Sequence, residues 1–134
     1  MMPLSRILAF LLCCLLPGCA VLSEKYKMEE YGRTIDSYET AMRVSDFNVA
    51  CQYVAPDVLN HEDCMQRYEN VKIANYNVRS AKVADDNQKV DLNVEVSYFL
   101  LDRYVVKKVM LEQSWQYEEA SKRWLLKTAP PDFK

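Results

Sequence analysis

The chain has 134 residues, of which 17 are Lys or Arg and 19 are Asp or Glu, and its formal net charge at pH 7 is −2. This length suits one domain with a modest core. The nearly balanced charge argues against nucleic acid and anionic lipid as electrostatic partners, and two glycines are too few for a phosphate-binding Gly-rich loop.

The amino terminus has the pattern of an export signal. Arg6 supplies a positive charge, residues 7–16 form an apolar run, and the small Gly18 precedes Cys19. The run is shorter than the roughly 20 residues that a membrane-spanning helix needs. The four residues that end at Cys19 resemble the processing and lipid-attachment site of bacterial lipoproteins.

That resemblance implies that residues 1–18 are removed as a signal peptide and that Cys19 receives acyl chains. Three acyl chains would hold the protein at a membrane essentially permanently. Ala20 stands where an Asp would resemble an inner-membrane retention signal, so we expect the outer membrane, with the domain facing the periplasm. The inner membrane and the cell surface are the other locations. Pro17 is less usual than Ala or Ser, and a secretory leader cut near Gly18 without lipid is the alternative.

Cys51 and Cys64 are the other thiols that the mature chain retains, because Cys13 and Cys14 lie within the apolar run of the leader. An even number of cysteines in an oxidising compartment predicts a disulfide. The alternative is a pair of buried free thiols. Two cysteines and the single His61 lack the spacing of a zinc site, so we predict no metal and no cofactor.

The first part of the mature chain predicts helices. Apolar residues recur from Met28 at steps of three and four, which indicates one face of a helix. Gly32 costs that helix about 1 kcal/mol relative to Ala and favours a later start. Residues 19–27 are then a lipidated tether, and residues 28–134 form the domain. The stripe comprises Met28, Tyr31, Ile35, Tyr38 and Met42.

Two shorter helices follow. Asp46 is the predicted N-cap of the second helix, which Pro56 ends. Asp57 is the predicted N-cap of a third, carrying Val58, Met65 and Tyr68.

After Val71 the apolar period changes to 2, which indicates strands. We expect strands over residues 71–84, 90–98, 105–117 and 122–128, with a bulge in the first near Arg79 and Ser80. Turns at residues 85–87, 102–103 and 118–121 use Asp and Asn in place of glycine. The predicted inward residues of the third strand are Val105, Val109, Leu111, Trp115 and Tyr117.

This order of elements predicts an α+β fold, with N-terminal helices packed on a curved antiparallel sheet of about four strands. The helical stripe, the long paired strands and a terminal hairpin with Trp115 and Trp124 resemble the fold family of nuclear transport factor and ketosteroid isomerase. In that cone-like domain, helices cover a bent sheet. The resemblance covers roughly residues 26–133, and a cystatin-like sheet with one helix is the alternative.

The family resemblance implies that a catalyst would place carboxylates, His or Tyr inside the cone. Asp91 and Glu95 lie on the polar side of their strand, and Glu112 lies opposite Trp115, so all three are expected outside the cone. His61 has no partner at the spacing of a catalytic dyad. We therefore predict no enzymatic activity and no catalytic residue.

Apolar residues on the predicted wet face of the sheet indicate a protein contact or self-association. They are Phe99, Tyr104, Val106 and Met110. Shielding of these residues by Lys107, Lys108 and the chain ends is the simpler explanation. We expect an envelope-anchored lipoprotein that acts as a binding or protein-interaction module.

The alternative function is a lipoprotein that binds a small apolar ligand within the cone, with tyrosines lining the cavity. These tyrosines are Tyr31, Tyr38, Tyr53, Tyr76 and Tyr98, and they equally well fill a core.

Overall fold

A computed structural model describes residues 16–134, with side chains from Leu22 onward. The described residues form an α+β fold, as predicted, with helices followed by a four-stranded antiparallel sheet. The predicted signal peptide lies mostly outside the described residues, and so does the side chain of Cys19. The helices are α1 (Leu16–Arg43), α2 (Phe47–Cys51) and α3 (His61–Arg67), and the strands are β1 (Val71–Val83), β2 (Lys89–Leu100), β3 (Lys107–Glu118) and β4 (Arg123–Leu126).

Helix α1 is longer than the sequence predicted. It runs without a break through the predicted tether and through Gly32, so the expectation of a start later than Met28 is wrong. The predicted stripe explains the helix, because Tyr38 and Met42 are buried and Ile35 is nearly so. Burial of such side chains contributes more than the roughly 1 kcal/mol that Gly32 costs. No helix within residues 16–134 has the length and apolar character that a membrane span requires.

The two short helices have side-chain caps. Asp46 caps α2 by accepting a hydrogen bond from the backbone N–H of Val49 at 3.3 Å, as predicted. Helix α3 begins later than expected, and its cap is Asn60, which accepts from the N–H of Asp63 at 2.8 Å. The predicted cap, Asp57, lies in the preceding turn and forms an ion pair with Lys127 at 3.3 Å.

The sheet has the strand order β1-β2-β3-β4, in which every neighbouring pair is antiparallel. The predicted bulge in β1 is present as a register shift between Val78 and Ser80, and a second shift lies between Ile73 and Asn75. Alternation in β2 is as predicted, since its apolar residues from Val90 to Tyr98 are buried. In β3 the phase is right, but Val105 is exposed and precedes the strand.

The core lies between α1 and one face of the sheet, called here the inner face. Its centre is aromatic: the Tyr38 and Trp115 rings meet edge-on with centroids 5.0 Å apart. Tyr31 packs against Trp124 in the same way at 5.1 Å. The chain after β4 closes one side of the core, where the Phe133 ring lies 4.8 Å from that of Tyr98. The opposite face, called the outer face, carries no helix among the described residues.

Candidate functional site

A disulfide joins Cys51 at the end of α2 to Cys64 in α3, with the two Cα atoms 5.8 Å apart. Both cysteines are buried. The prediction of a bridge is confirmed, and the alternative of two free thiols is wrong. The bridge fixes the two helices to each other within the hydrophobic core.

Tyrosines fill the interior. Tyr38 and Tyr76 are buried, Tyr98 is nearly so, and Tyr31 and Tyr53 are half-buried. Burial raises the pKa of Tyr31 to about 12, and it raises the pKa values of Tyr38 and Tyr76 well above the ordinary value. These phenols are therefore neutral at physiological pH.

Gln113 is a buried polar residue that the sequence prediction missed. Its Nε2 donates to the Tyr76 hydroxyl at 3.2 Å, and its Oε1 accepts from Trp115 Nε1, also at 3.2 Å. One amide thus satisfies two aromatic residues of the core, which a buried polar group requires. Position 113 falls in the same alternation as the inward residues Leu111 and Trp115 of β3, and this pattern could have predicted that Gln113 is buried.

A small, partly open cavity of about 90 Å³ lies on this side of the sheet. It lies between Tyr38, Tyr68, Gln113 and the segment after β4. Ligand pockets are typically about 300–1,000 Å³. This cavity is well below that range, because aromatic rings fill much of the space between α1 and the sheet.

The carboxylates that the sequence analysis considered lie on the outer face. Asp91 and Glu112 are exposed. Glu95 pairs with Arg79 at 3.0 Å and Lys108 at 3.6 Å, and the hydrogen bond from Arg79 contributes most to lowering its pKa.

His61 is exposed, and its Nε2 lies 3.2 Å from the carbonyl oxygen of Asn48. Within residues 16–134, no group of three potential metal ligands is present.

The predicted contact residues surround the hairpin between β2 and β3. Tyr104 is 76% exposed, Val106 is 62% exposed and Met110 is 55% exposed. Phe99 is half-buried, and its ring centroid lies 6.0 Å from that of Tyr104. We call Phe99, Tyr104, Val106 and Met110 the apolar hairpin surface. Val105 is also exposed there, so the prediction that it points inward is wrong.

The alternative of shielding by Lys107, Lys108 and the chain ends does not hold within the described residues, where Tyr104, Val106 and Met110 are exposed. Lys107 Nζ donates to the carbonyl oxygen of Lys134 at 2.6 Å, and the Tyr98 hydroxyl donates to the same oxygen at 2.9 Å. These bonds hold the end of the chain beside Tyr98, whose side chain belongs to the inner face. The apolar hairpin surface thus stays open to solvent.

Tyr104 has an unusual backbone conformation. Its φ is 52°, in the left-handed region that bulky residues rarely adopt. Asn87, in the hairpin between β1 and β2, has a similar φ of 55°, which suits Asn. Tyr104 is therefore a large exposed aromatic residue at a backbone position where a small polar residue would cost less conformational free energy.

The apolar hairpin surface lies at the opposite end of the domain from the start of α1. At one end, Trp124 Nε1 donates to the carbonyl oxygen of Lys27 at 2.7 Å, and Lys27 pairs with Glu119 at 2.6 Å. At the other end, Ser45 Oγ, just after α1, accepts from the N–H of Ile73 at 3.0 Å. Strand β3 links the two ends and is roughly 36 Å long at about 3.3 Å per residue.

Solved structures share this fold. A SEC-C motif containing protein from Rhodopseudomonas palustris has 11% identity and a TM-score of 0.51, over 66% of this chain and 67% of that one. A candidate polyketide cyclase from Xanthomonas campestris pv. campestris has 10% identity and a TM-score of 0.51, over 75% of this chain and 91% of that one. At such identity the likeness shows the fold alone. No protein-family model and no curated protein matches the sequence.

Proposed function

We propose that this chain is an envelope-anchored lipoprotein without catalytic activity, which binds a partner protein through the apolar hairpin surface. The observation that carries the proposal is the exposure of Tyr104, Val106 and Met110 together on one hairpin. Exposed apolar clusters mark contact sites more often than scattered apolar residues do. Tyrosine is also enriched among the residues that dominate binding energy at interfaces.

The anchoring part of the proposal depends on Cys19. The four residues ending there resemble a lipid-attachment site, and Ala20 favours the outer membrane with the domain in the periplasm. The buried disulfide supports export, because such bonds persist in oxidising compartments.

The fold gives the two ends of the domain different roles. About eight residues of α1 separate Cys19 from Lys27, which adds roughly 12 Å of helix at 1.5 Å per residue. The apolar hairpin surface lies beyond the far end of β3. A protein anchored at Cys19 would thus present this surface away from its own membrane, which favours a protein partner over that bilayer.

Charge around the hairpin indicates what the partner looks like. Arg103, Lys107 and Lys108 are exposed beside the apolar residues, and Asp102 is the acidic residue of the loop. We expect an apolar recess with an acidic rim on the partner. Two copies of this chain would bring like charges together, which favours a different protein over self-association.

The interior supports a non-catalytic role. Apart from tyrosines, the described polar residues that are buried as a whole are Ser97 and Gln113, and neither titrates. A carboxylate or His with a pKa shifted by burial is the usual acid or base in such cones. One solved structure with this fold is a candidate polyketide cyclase from Xanthomonas campestris, so catalysis is the competing hypothesis. Turnover of a substrate by the purified chain would support it.

Binding of a small apolar ligand inside the cone is the second candidate function. The cavity of about 90 Å³ beside Tyr38 and Tyr68 is its site. Native mass spectrometry of protein extracted from membranes tests it, because a bound ligand adds mass that delipidation removes. A mass equal to that of the acylated chain alone counts against this function.

The deciding experiment is cross-linking in intact cells with the double variant Tyr104→Lys and Val106→Lys. We expect loss of the cross-linked partner, while circular dichroism and the disulfide stay unchanged. The matched control is Val44→Lys with Val83→Lys, because both valines are exposed elsewhere. Equal cross-linking in both double variants would refute docking at this surface.

Two further measurements complete the test. Light scattering of the purified protein distinguishes the outcomes, since a dimer lost only in the hairpin variant would indicate self-association. Cys19→Ser tests the anchor separately, and we expect the variant to leave the membrane fraction.

A further inference from the structure

We propose that the outer face of the sheet carries a second binding site, a polar groove that takes a neutral saccharide. The groove has a volume of about 450 Å³. It is distinct from the apolar hairpin surface, and the proposal depends neither on that surface nor on Cys19. The outer groove has among its lining residues Ser80, Lys82, Asp91, Asn93, Glu112 and Ser114.

The register of the sheet explains how these residues meet. Asn93 in β2 lies opposite Ser80 in β1 and opposite Glu112 in β3. One row therefore crosses three strands and brings a hydroxyl, an amide and a carboxylate to the same face.

A second row lies beside the first. Asp91 in β2 lies opposite Lys82 in β1 and Ser114 in β3. The segment after β4 continues this row, because the backbone N–H of Ser114 donates to Thr128 Oγ1 at 3.4 Å. With strands about 4.8 Å apart, the groove is roughly 14 Å long.

Several polar groups in the groove can form further hydrogen bonds. Ser114 Oγ is buried and has no hydrogen-bond partner among the described residues. Glu112 forms no ion pair in the described part of the chain. Asn93 uses one amide hydrogen, since its Nδ2 donates to Ser80 Oγ at 3.1 Å, and its Oδ1 can accept. A buried hydroxyl without a partner destabilises the fold, which favours a role outside folding.

The mixture of groups identifies the class of ligand. Hydroxyls and amides both donate and accept, and carboxylates accept, so together they match the many hydroxyls of a sugar. One lysine against two carboxylates disfavours a phosphate or another anion. A simple cation is disfavoured because Asp91 already pairs with Lys89, whose Nζ lies 3.8 Å from its carboxylate, and because Lys82 lies opposite Asp91 in the register. A neutral saccharide uses all of these groups without a charge mismatch.

The test is a titration of the full chain, solubilised in a detergent without a sugar headgroup, with maltohexaose and with chitohexaose. Amide NMR shifts should move in the groove, near Lys82, Asn93 and Ser114, and not at Tyr104. Asn93→Ala should weaken the affinity about five-fold, as expected for one hydrogen bond. Asn77→Ala is the matched control on the same face outside the groove, and it should leave the affinity unchanged.

Ser114→Ala separates binding from folding. Because it removes an unpartnered buried hydroxyl, it should keep or raise the melting temperature while it weakens saccharide binding. The proposal is overturned if neither saccharide shifts the groove amides, if the shifts occur elsewhere, or if Asn93→Ala and Ser114→Ala both bind like the parent chain.

Discussion

The inner and outer faces of the sheet differ in what their side chains contact. On the inner face, Trp115 and Tyr38 are buried against each other, and Gln113 satisfies its aromatic neighbours. On the outer face, Ser114 Oγ has no hydrogen-bond partner within the described chain, and Tyr104, Val106 and Met110 of the hairpin are exposed. Changes to the inner face should therefore alter stability, whereas changes to the outer face should alter binding.

The largest expected effect comes from Trp115→Ala. Removing this fully buried ring leaves a cavity, so we expect the free energy of unfolding to fall by about 4 kcal/mol. Urea unfolding followed by circular dichroism measures it. Gln116→Ala, at the next position and on the outer face, is the control and should change stability by less than about 0.5 kcal/mol. Equal losses in the two variants would break the comparison.

The disulfide comes next. Cys51→Ala with Cys64→Ala should lower the free energy of unfolding by about 3 kcal/mol, because the bridge restricts the unfolded chain. Peptide maps with and without reductant establish the bridge, and urea unfolding gives the loss. Reductant should destabilise the parent chain and have no effect on the variant. If the variant still cross-links to the proposed partner as the parent chain does, the lower stability of the core leaves the proposed docking surface intact.

A smaller effect is expected at the hairpin. Tyr104→Asn places a residue that tolerates a positive φ where Tyr has a φ of 52°. We expect the free energy of unfolding to rise by about 0.5 kcal/mol while partner cross-linking falls. Asn87→Ala, with a φ of 55° in the other hairpin, should instead lose stability and keep the partner. A loss of stability in Tyr104→Asn would contradict this interpretation of the backbone.

The smallest effect concerns pH. Arg79, then Lys108, lowers the pKa of Glu95 on the outer face. Because the folded pKa lies below the unfolded one, the stabilisation is present above the unfolded pKa and is lost as pH falls through the folded pKa. Arg79→Ala should raise the pKa of Glu95 toward its ordinary value, as carboxyl NMR titration would record. Melting temperature at neutral pH should hardly change, because exposed pairs contribute little.

Much of the fold followed from periodicity. The stripe from Met28 to Met42 located the buried face of α1, and alternation in β2 separated the two faces of the sheet. Both signals depend on burial repeated over many residues, which is why they were reliable.

The predictions were wrong where local contacts determine the residue at which a helix or strand begins. Asn60 caps α3 in place of Asp57, and the Asp57 carboxylate instead pairs with Lys127, which is distant in sequence. Val105 follows the alternation of β3 but precedes the strand, since the backbone turn ending at Tyr104 fixes where pairing begins. The outer groove could not be predicted, because it forms only when the register aligns β1, β2 and β3.

Within the described residues β1 has a free edge, which bears on how copies would approach one another under the proposed membrane anchoring. This strand has 13 residues, lies at one side of the sheet and contains Lys72, Arg79 and Lys82 but no acidic residue. Two neighbouring copies that approached edge to edge would bring these like charges together. The two register shifts in β1 would also interrupt the ladder of backbone hydrogen bonds between the two edges. If the proposed lipid anchor concentrates copies on one membrane, these features would oppose edge-to-edge aggregation.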